Sequence, residues 1–241
     1  MNMARRAILL LMLCIAPLGV TSAWAAGCDV PQDLLDPTMQ PRLRRALAGP
    51  EFRVLIGGSA SAEQGGSAER YPERLQALLR EQYPGLQVRV EARGRRGANA
   101  LEILALIAPL LPDFRPHLVL WQTGTVEAVR GLPIEAMTDT LSTGIARLRA
   151  AGAEVMVMDP QFSRFLRANA DIDAYRDALR LTAATEAVPL LRRWDWMREW
   201  ADEGVLDVER APAQTRPVTV ARLHDCVARG ILAQIQLSTR R

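Results

Sequence analysis

The sequence predicts an α/β domain in which one parallel sheet is covered on both faces by helices. Two observations carry that reading. Five short apolar, β-prone runs recur along the chain, most of them nearly continuous, the mark of strands buried on both faces. Segments with helical periodicity separate these runs. Such strand-helix alternation implies parallel pairing through right-handed crossovers.

In chain order, a Pro-containing lead-in between Cys28 and Pro50 holds one short amphipathic piece, Pro41–Leu47. Strands are expected at Phe52–Ile56, Leu86–Glu91, Leu118–Thr123, Glu154–Met158 and Val188–Leu191. The first expected helix, Arg70–Gln82, places Leu75, Leu78 and Leu79 on one stripe and ends at Pro84-Gly85. Asn99–Leu111 is apolar nearly all round and therefore reads as a buried helix. Thr138–Ala151 stops at Gly152, and Asp173–Ala187 and Arg192–Ala201 follow. Arg210–Pro217 is a Pro-punctuated loop leading into a closing helix, Val218–Gln236. No internal repeat, low-complexity stretch or linker interrupts this order, so residues 26–241 read as a single domain.

Residues 1–25 have the three parts of a secretory signal peptide. Arg5 and Arg6 supply the positive start, Ala7–Val20 the apolar run, and Ala23-Trp24-Ala25 the small-residue cleavage pattern. The run falls short of the roughly 20 residues that span a bilayer. Cys28 follows Ala-Ala-Gly, but the Leu usual three residues before a lipidated cysteine is Ala25 here. The mature protein is thus expected in the periplasm or secreted. No later apolar stretch reaches spanning length, so no membrane span is expected after cleavage.

Composition excludes several chemistries. All thirty basic residues are Arg, which removes a P-loop lysine, a Schiff-base lysine and a Ser-Lys pair. His117, His224, Cys28 and Cys226 lack metal-ligand spacing, which argues against a His/Cys zinc site; counting leaves an all-carboxylate cation site open. Gly57–Gly66 lacks the G-x-G-x-x-G fingerprint, and no cofactor is expected. Without Arg5 and Arg6 the net charge is close to zero and no basic block remains, so no nucleic-acid partner is expected. Outside the cytoplasm, two cysteines at opposite ends of a domain read as a disulfide, Cys28–Cys226, rather than two buried thiols.

In such sheets, ligands bind beyond the carboxyl ends of the strands. The segments at that edge are Gly57-Gly58-Ser59, Arg93–Ala98, Gly124–Glu127, Asp159-Pro160-Gln161 and the loop before the last helix. The two glycines let the chain turn sharply and put the Ser59 hydroxyl at the mouth of the site. Gly-Gly-Ser alone is equally a plain turn.

The order of landmarks adds to this. Ile56-Gly57-Gly58-Ser59-Ala60-Ser61, then Gly94-Arg95-Arg96-Gly97, then Trp121-Gln122-Thr123-Gly124-Thr125 resembles the SGNH/GDSL hydrolase family. The resemblance runs from about Cys28 to the end. It implies a three-layer, flavodoxin-like, five-stranded parallel sheet and the chemistry of serine esterases, lipases, thioesterases and carbohydrate deacylases. It assigns Ser59 as nucleophile, and the backbone N–H groups of Ser59 and Gly97 to an oxyanion hole.

Departures from the pattern are as informative. The Asp before the nucleophile is Gly58, the oxyanion Asn is Val126, and its usual Asp neighbour is Glu127. For the Asp-x-x-His block two registers compete. One makes His224 the base, with Ala221 where the Asp belongs. The other aligns Cys226-Val227-Ala228 with the family's final helix and puts Thr215 and Val218 at the Asp and His positions. His117 opens the third strand, at the end away from the site.

Two function classes follow from the resemblance. One is an exported esterase, deacylase or acyltransferase acting on an acylated envelope or secreted polysaccharide or a small ester. The other is a catalytically inactive relative binding a glycan or an envelope protein through the same cleft. Cleavage after Ala25 is expected. Mass spectrometry of the protein from its native host should find a mature chain beginning at Ala26, and an N-terminus at diacylated Cys28 would contradict the reading.

Overall fold

A computed structural model describes residues 27–62 and 70–240; the expected signal peptide lies outside the described residues. Five strands, β1 (Glu51–Gly58), β2 (Gln87–Gly94), β3 (Leu118–Gln122), β4 (Glu154–Met158) and β5 (Leu190–Leu191), form one sheet in the order β2-β1-β3-β4-β5. All four pairings are parallel. This is the flavodoxin-like order, whose switch point lies between β1 and β3. Every residue of β3 and β4 is buried, as continuous apolar runs require. β2 is an edge strand, mostly half-buried, and carries Arg89, Glu91 and Arg93, charges that protect an open edge from further pairing.

The helices are α1 (Pro41–Leu47), α2 (Tyr71–Gln82), α3 (Ala100–Ile107), α4 (Leu111–Phe114), α5 (Thr125–Arg130), α6 (Ile134–Ala150), α7 (Arg164–Asn169), α8 (Ile172–Thr185), α9 (Arg193–Asp202) and α10 (Arg216–Ser238). One layer contains α3, α6 and α8 packed in a row, while α2 and α10 pack on each other. Close approach of α6 to the sheet needs Gly144, where a Cβ would stand 2.4 Å from the Trp121 ring.

Differences from the expected elements have local causes. The long apolar helix breaks after Ile107 into a 3₁₀ turn and the short α4, because Pro109 and Pro112 donate no N–H. Its start is firm: Asn99 accepts from Glu102 N at 2.9 Å, and the Glu102 side chain accepts in return from Asn99 N. β5 shrinks to two residues, since Ala187 turns at φ +49° and Pro189 has no donor. The helix expected from Thr138 begins at Ile134, directly after Pro133. α5 and α7 have six residues each, too few to show a helical period in the sequence.

Cys28 and Cys226 form the expected disulfide and are both buried. It pins the lead-in to α10. Among the described residues, no helix is long and apolar enough to cross a membrane. In the chain-entropy relation, a closure over 198 residues contributes up to about 5 kcal/mol. Replacing both cysteines by Ser should therefore lower the unfolding free energy by several kcal/mol in denaturant titration. An unchanged midpoint would show that the bridge constrains nothing.

Candidate functional site

Ser59 follows the last residue of β1 and opens a 3₁₀ turn, Ala60–Ala62. Gly97 lies at the same end of the sheet, between β2 and α3, at φ +76°. The loop carrying it is anchored to β1 by Arg95 N donating to Gly58 O at 3.3 Å. The structure thus brings the Ser59 and Gly97 loops to one edge. Val126 sits in the first turn of α5 beside them and offers no side-chain donor.

Glu127, one residue on, is almost fully buried. Its carboxylate accepts from Thr123 Oγ1 at 2.9 Å, Gly124 N at 3.0 Å and Ala100 N. One side chain therefore fixes the starts of both α3 and α5. This is a positioning role that the sequence alone did not reveal.

At Gly58, a Cβ would stand 2.9 Å from Ala62 Cβ and 3.1 Å from Gln122 Oε1. The space an aspartate would need here is covered by Gln122. Ser61 Oγ donates to Gln122 Oε1 at 2.9 Å, and Tyr71 OH approaches the same oxygen at 3.5 Å. This Ser61–Gln122–Tyr71 cluster joins three segments far apart in sequence, so no local pattern announces it.

His224 lies in the third turn of α10, well inside the helix. Its ring stacks on Tyr71, with centroids 6.2 Å apart and planes 15° from parallel. Burial, with help from Arg193 and Arg70, pushes its pKa down to about 4, so the imidazole is neutral over the physiological range. So low a value makes a weak general base. Among the described residues, neither the Ser59 hydroxyl nor the His224 ring forms a hydrogen bond. In the competing register, Thr215 stands just before α10 without a side-chain capping bond, and Val218 projects from the first turn, largely exposed.

A cleft of about 470 Å³ runs along this face, lined by Ala60, Ser61, Arg70, Phe162, Met197 and His224 among others. From α10 it takes Leu223 together with Pro217, Val220, Ala221 and His224, the last four an i, i+3, i+4, i+7 face. Ser61 and His224 share the cleft wall; Ser59 does not line it.

Behind the cleft lies a cluster of buried charge. Asp159, after β4, accepts from Trp194 N at 2.9 Å and from Arg176 Nε at 3.4 Å. Burial nevertheless pushes its carboxyl up to about 6, with Asp195 adding to the rise. Burial also acts to raise Asp195, but Arg176, Arg192 and Arg180 outweigh it and hold that carboxyl low. His117 sits at the opposite end of the sheet, where Nδ1 accepts from Arg53 N at 3.0 Å. No group of three or more His, Cys, Asp or Glu among the described residues is arranged to hold a metal ion.

The His224 shift makes stability depend on pH. Its folded pKa lies below the unfolded value, so the unfolded chain binds the extra proton between about pH 6.5 and 4, and stability falls on acidification through that window. Asp159 acts in the opposite sense, being raised, but is common to wild type and variant. His224→Phe keeps a ring on Tyr71 and removes the titration. From pH 7 to 4 the stability difference should move by roughly 2–3 kcal/mol in the variant's favour, read by urea unfolding. A constant difference would refute the depressed pKa.

No curated protein matches the chain. Several solved structures do. LAE5, an α/β hydrolase from the metagenome of Lake Arreo, Spain, is 18% identical with a TM-score of 0.62, over 79% of this chain and 97% of that one. Axe2, an acetylxylan esterase from Geobacillus stearothermophilus, is 15% identical with a TM-score of 0.57, over 76% and 94%. A two-domain esterase (CEX) active on acetylated mannans is 12% identical with a TM-score of 0.66, over 86% of this chain but 57% of that one. These likenesses establish the fold, a three-layer α/β sandwich of SGNH type. The family model that matches residues 27–241 is described as the Non-GDSL lipase-like family, and to that family the chain belongs.

Proposed function

We propose that this is an exported, single-domain SGNH-fold protein that binds an acylated carbohydrate or small ester in its cleft and has lost most or all of its hydrolytic turnover. The observation that carries the reading is the state of His224. Its ring rests on Tyr71, forms no hydrogen bond to Ser59 and is buried beside Arg193. In this reading Ser59 holds the nucleophile position and Gly97 an oxyanion donor, without a base to activate the serine.

Magnitudes favour binding over turnover. A missing oxyanion donor, as at Val126, costs on the order of 10² to 10³ in rate. Loss of the base in a serine triad removes roughly 10⁶. Acetylated sugars are the substrates of Axe2 and CEX, which supports an acylated carbohydrate as the ligand here. The disulfide supports a location outside the reducing cytoplasm.

A second reading is a working esterase or acyltransferase, favoured by Ser61 and His224 lining one cleft. Hydrolysis of a short-chain aryl ester by purified protein separates the two. The binding reading expects turnover near the buffer blank, unchanged in Ser59→Ala, Ser61→Ala and His224→Ala, and no rescue by Val126→Asn alone. Robust hydrolysis abolished by Ser59→Ala and His224→Ala would overturn it. Loss in Ser61→Ala but not Ser59→Ala would move the nucleophile by two residues.

A further inference from the structure

A second pocket, open and of about 450 Å³, lies at the amino ends of the strands, away from the cleft. Arg42, Arg45, Glu51 and His117 supply all of its polar side chains. Arg42 and Arg45 stand one turn apart on α1, a helix with no acidic residue. Both are exposed, and neither guanidinium has a hydrogen bond or ion pair among the described residues. The bond from Arg42 to Glu154 Oε1, 3.2 Å, comes from the backbone N–H, and that carboxylate is buried and off the pocket lining. Glu51, the carboxylate on the lining, is paired with Arg53.

His117 is held in one orientation and one tautomer. Its ring stacks on Phe52, with centroids 6.1 Å apart and planes 10° from parallel. Its Nδ1 accepts from Arg53 N at 3.0 Å. An imidazole that accepts at Nδ1 carries its proton on Nε2, so the opposite edge of the ring is a donor. Burial, with Arg53 beside it, lowers the pKa and favours this neutral form. No described group accepts from Nε2. Two guanidiniums and one ring N–H, all without partners, therefore line one pocket.

We propose that this pocket binds a phosphomonoester, its phosphate set between Arg42 and Arg45 with His117 Nε2 as third donor. Guanidinium forks match phosphate oxygens in geometry. A monoester has three free oxygens and a charge of about −1.5 to −2 near neutral pH, which suits three donor groups and two free cations. A carboxylate or a phosphodiester has two free oxygens and a single charge, and leaves a donor and a cation unmatched. Phosphorylated sugars and lipids with a terminal phosphate share this chemistry. The pocket and the cleft lie at opposite ends of the sheet, so the proposal does not depend on what the cleft binds.

The chain has two histidines, His117 and His224, so their imidazole NMR signals report the two ends of the sheet separately. The purified mature protein is titrated at fixed pH and ionic strength with glucose 6-phosphate, inorganic phosphate, acetate and neutral glucose. Glucose 6-phosphate should shift the His117 signal saturably and leave His224 in place, with acetate much weaker and glucose without effect. Arg42→Gln and Arg45→Gln, both on the surface, should each weaken binding roughly 10-fold. Arg45→Lys, which keeps the charge and loses the fork, should cost less. Flotation with phosphatidylcholine vesicles, with and without phosphatidic acid, separates the sources. Capture by phosphatidic acid that Arg42→Gln abolishes assigns a lipid phosphate; a His117 shift with glucose 6-phosphate and no capture assigns a soluble phosphomonoester. Failure of both probes, an equal shift with acetate, parallel movement of His224, or unchanged affinity in the folded variants would overturn the proposal. Binding of inorganic phosphate with both phosphomonoesters excluded would also overturn it, showing an adventitious ion only.

Discussion

Gln234, buried in α10, holds both backbone groups of Asp36. Its Oε1 accepts from Asp36 N at 2.8 Å and its Nε2 donates to Asp36 O at 2.7 Å. Two turns earlier in the same helix, Cys226 is bonded to Cys28. Between them Gly230 lies against the Trp196 ring, where a Cβ would stand at 2.7 Å. With three such ties the helix has no freedom to rotate or slide. Its register decides which residues face the cleft, and His224 lies two positions from the bridged cysteine.

The state of the site follows from that fixed register. A histidine deep in a helix cannot swing as one in a loop can, and stacking on Tyr71 holds the ring further. Around Ser59, the chain has filled the places that resemblance would give to catalytic groups with structural ones. Gln122 covers Gly58 and gathers Ser61 and Tyr71, while Glu127 ties two helix starts together. The edge of the sheet keeps its architecture while its hydrogen bonds serve the scaffold.

The fold was largely legible because its strongest signals are local. β3 and β4 are continuous apolar runs, and the run from Asn99 to Leu111 is apolar nearly all round. Where expectation slipped, as at β5 and the break after Ile107, proline removed donors inside an otherwise apolar run. The site was legible only at Gly57-Gly58-Ser59 and its neighbouring loops. The histidine register stayed open because helical periodicity from Arg216 to Ser238 gives no sign of how far into the helix His224 falls. Gln122 with Ser61, and Asp159 with Trp194, are pairings between distant segments, and residue type alone does not announce them.

The lead-in and α10 come from opposite ends of the domain, and their joining closes a loop of nearly the whole chain. Such a contact forms late, since loop closure must precede any reward from it, whereas β1, β2 and β3 pair over much shorter separations. The sheet can therefore assemble before its clasp. One wall of the cleft belongs to α10, so the cavity is absent from any chain whose final helix has not yet emerged. The cleft is complete only when the last segment of the chain meets its first.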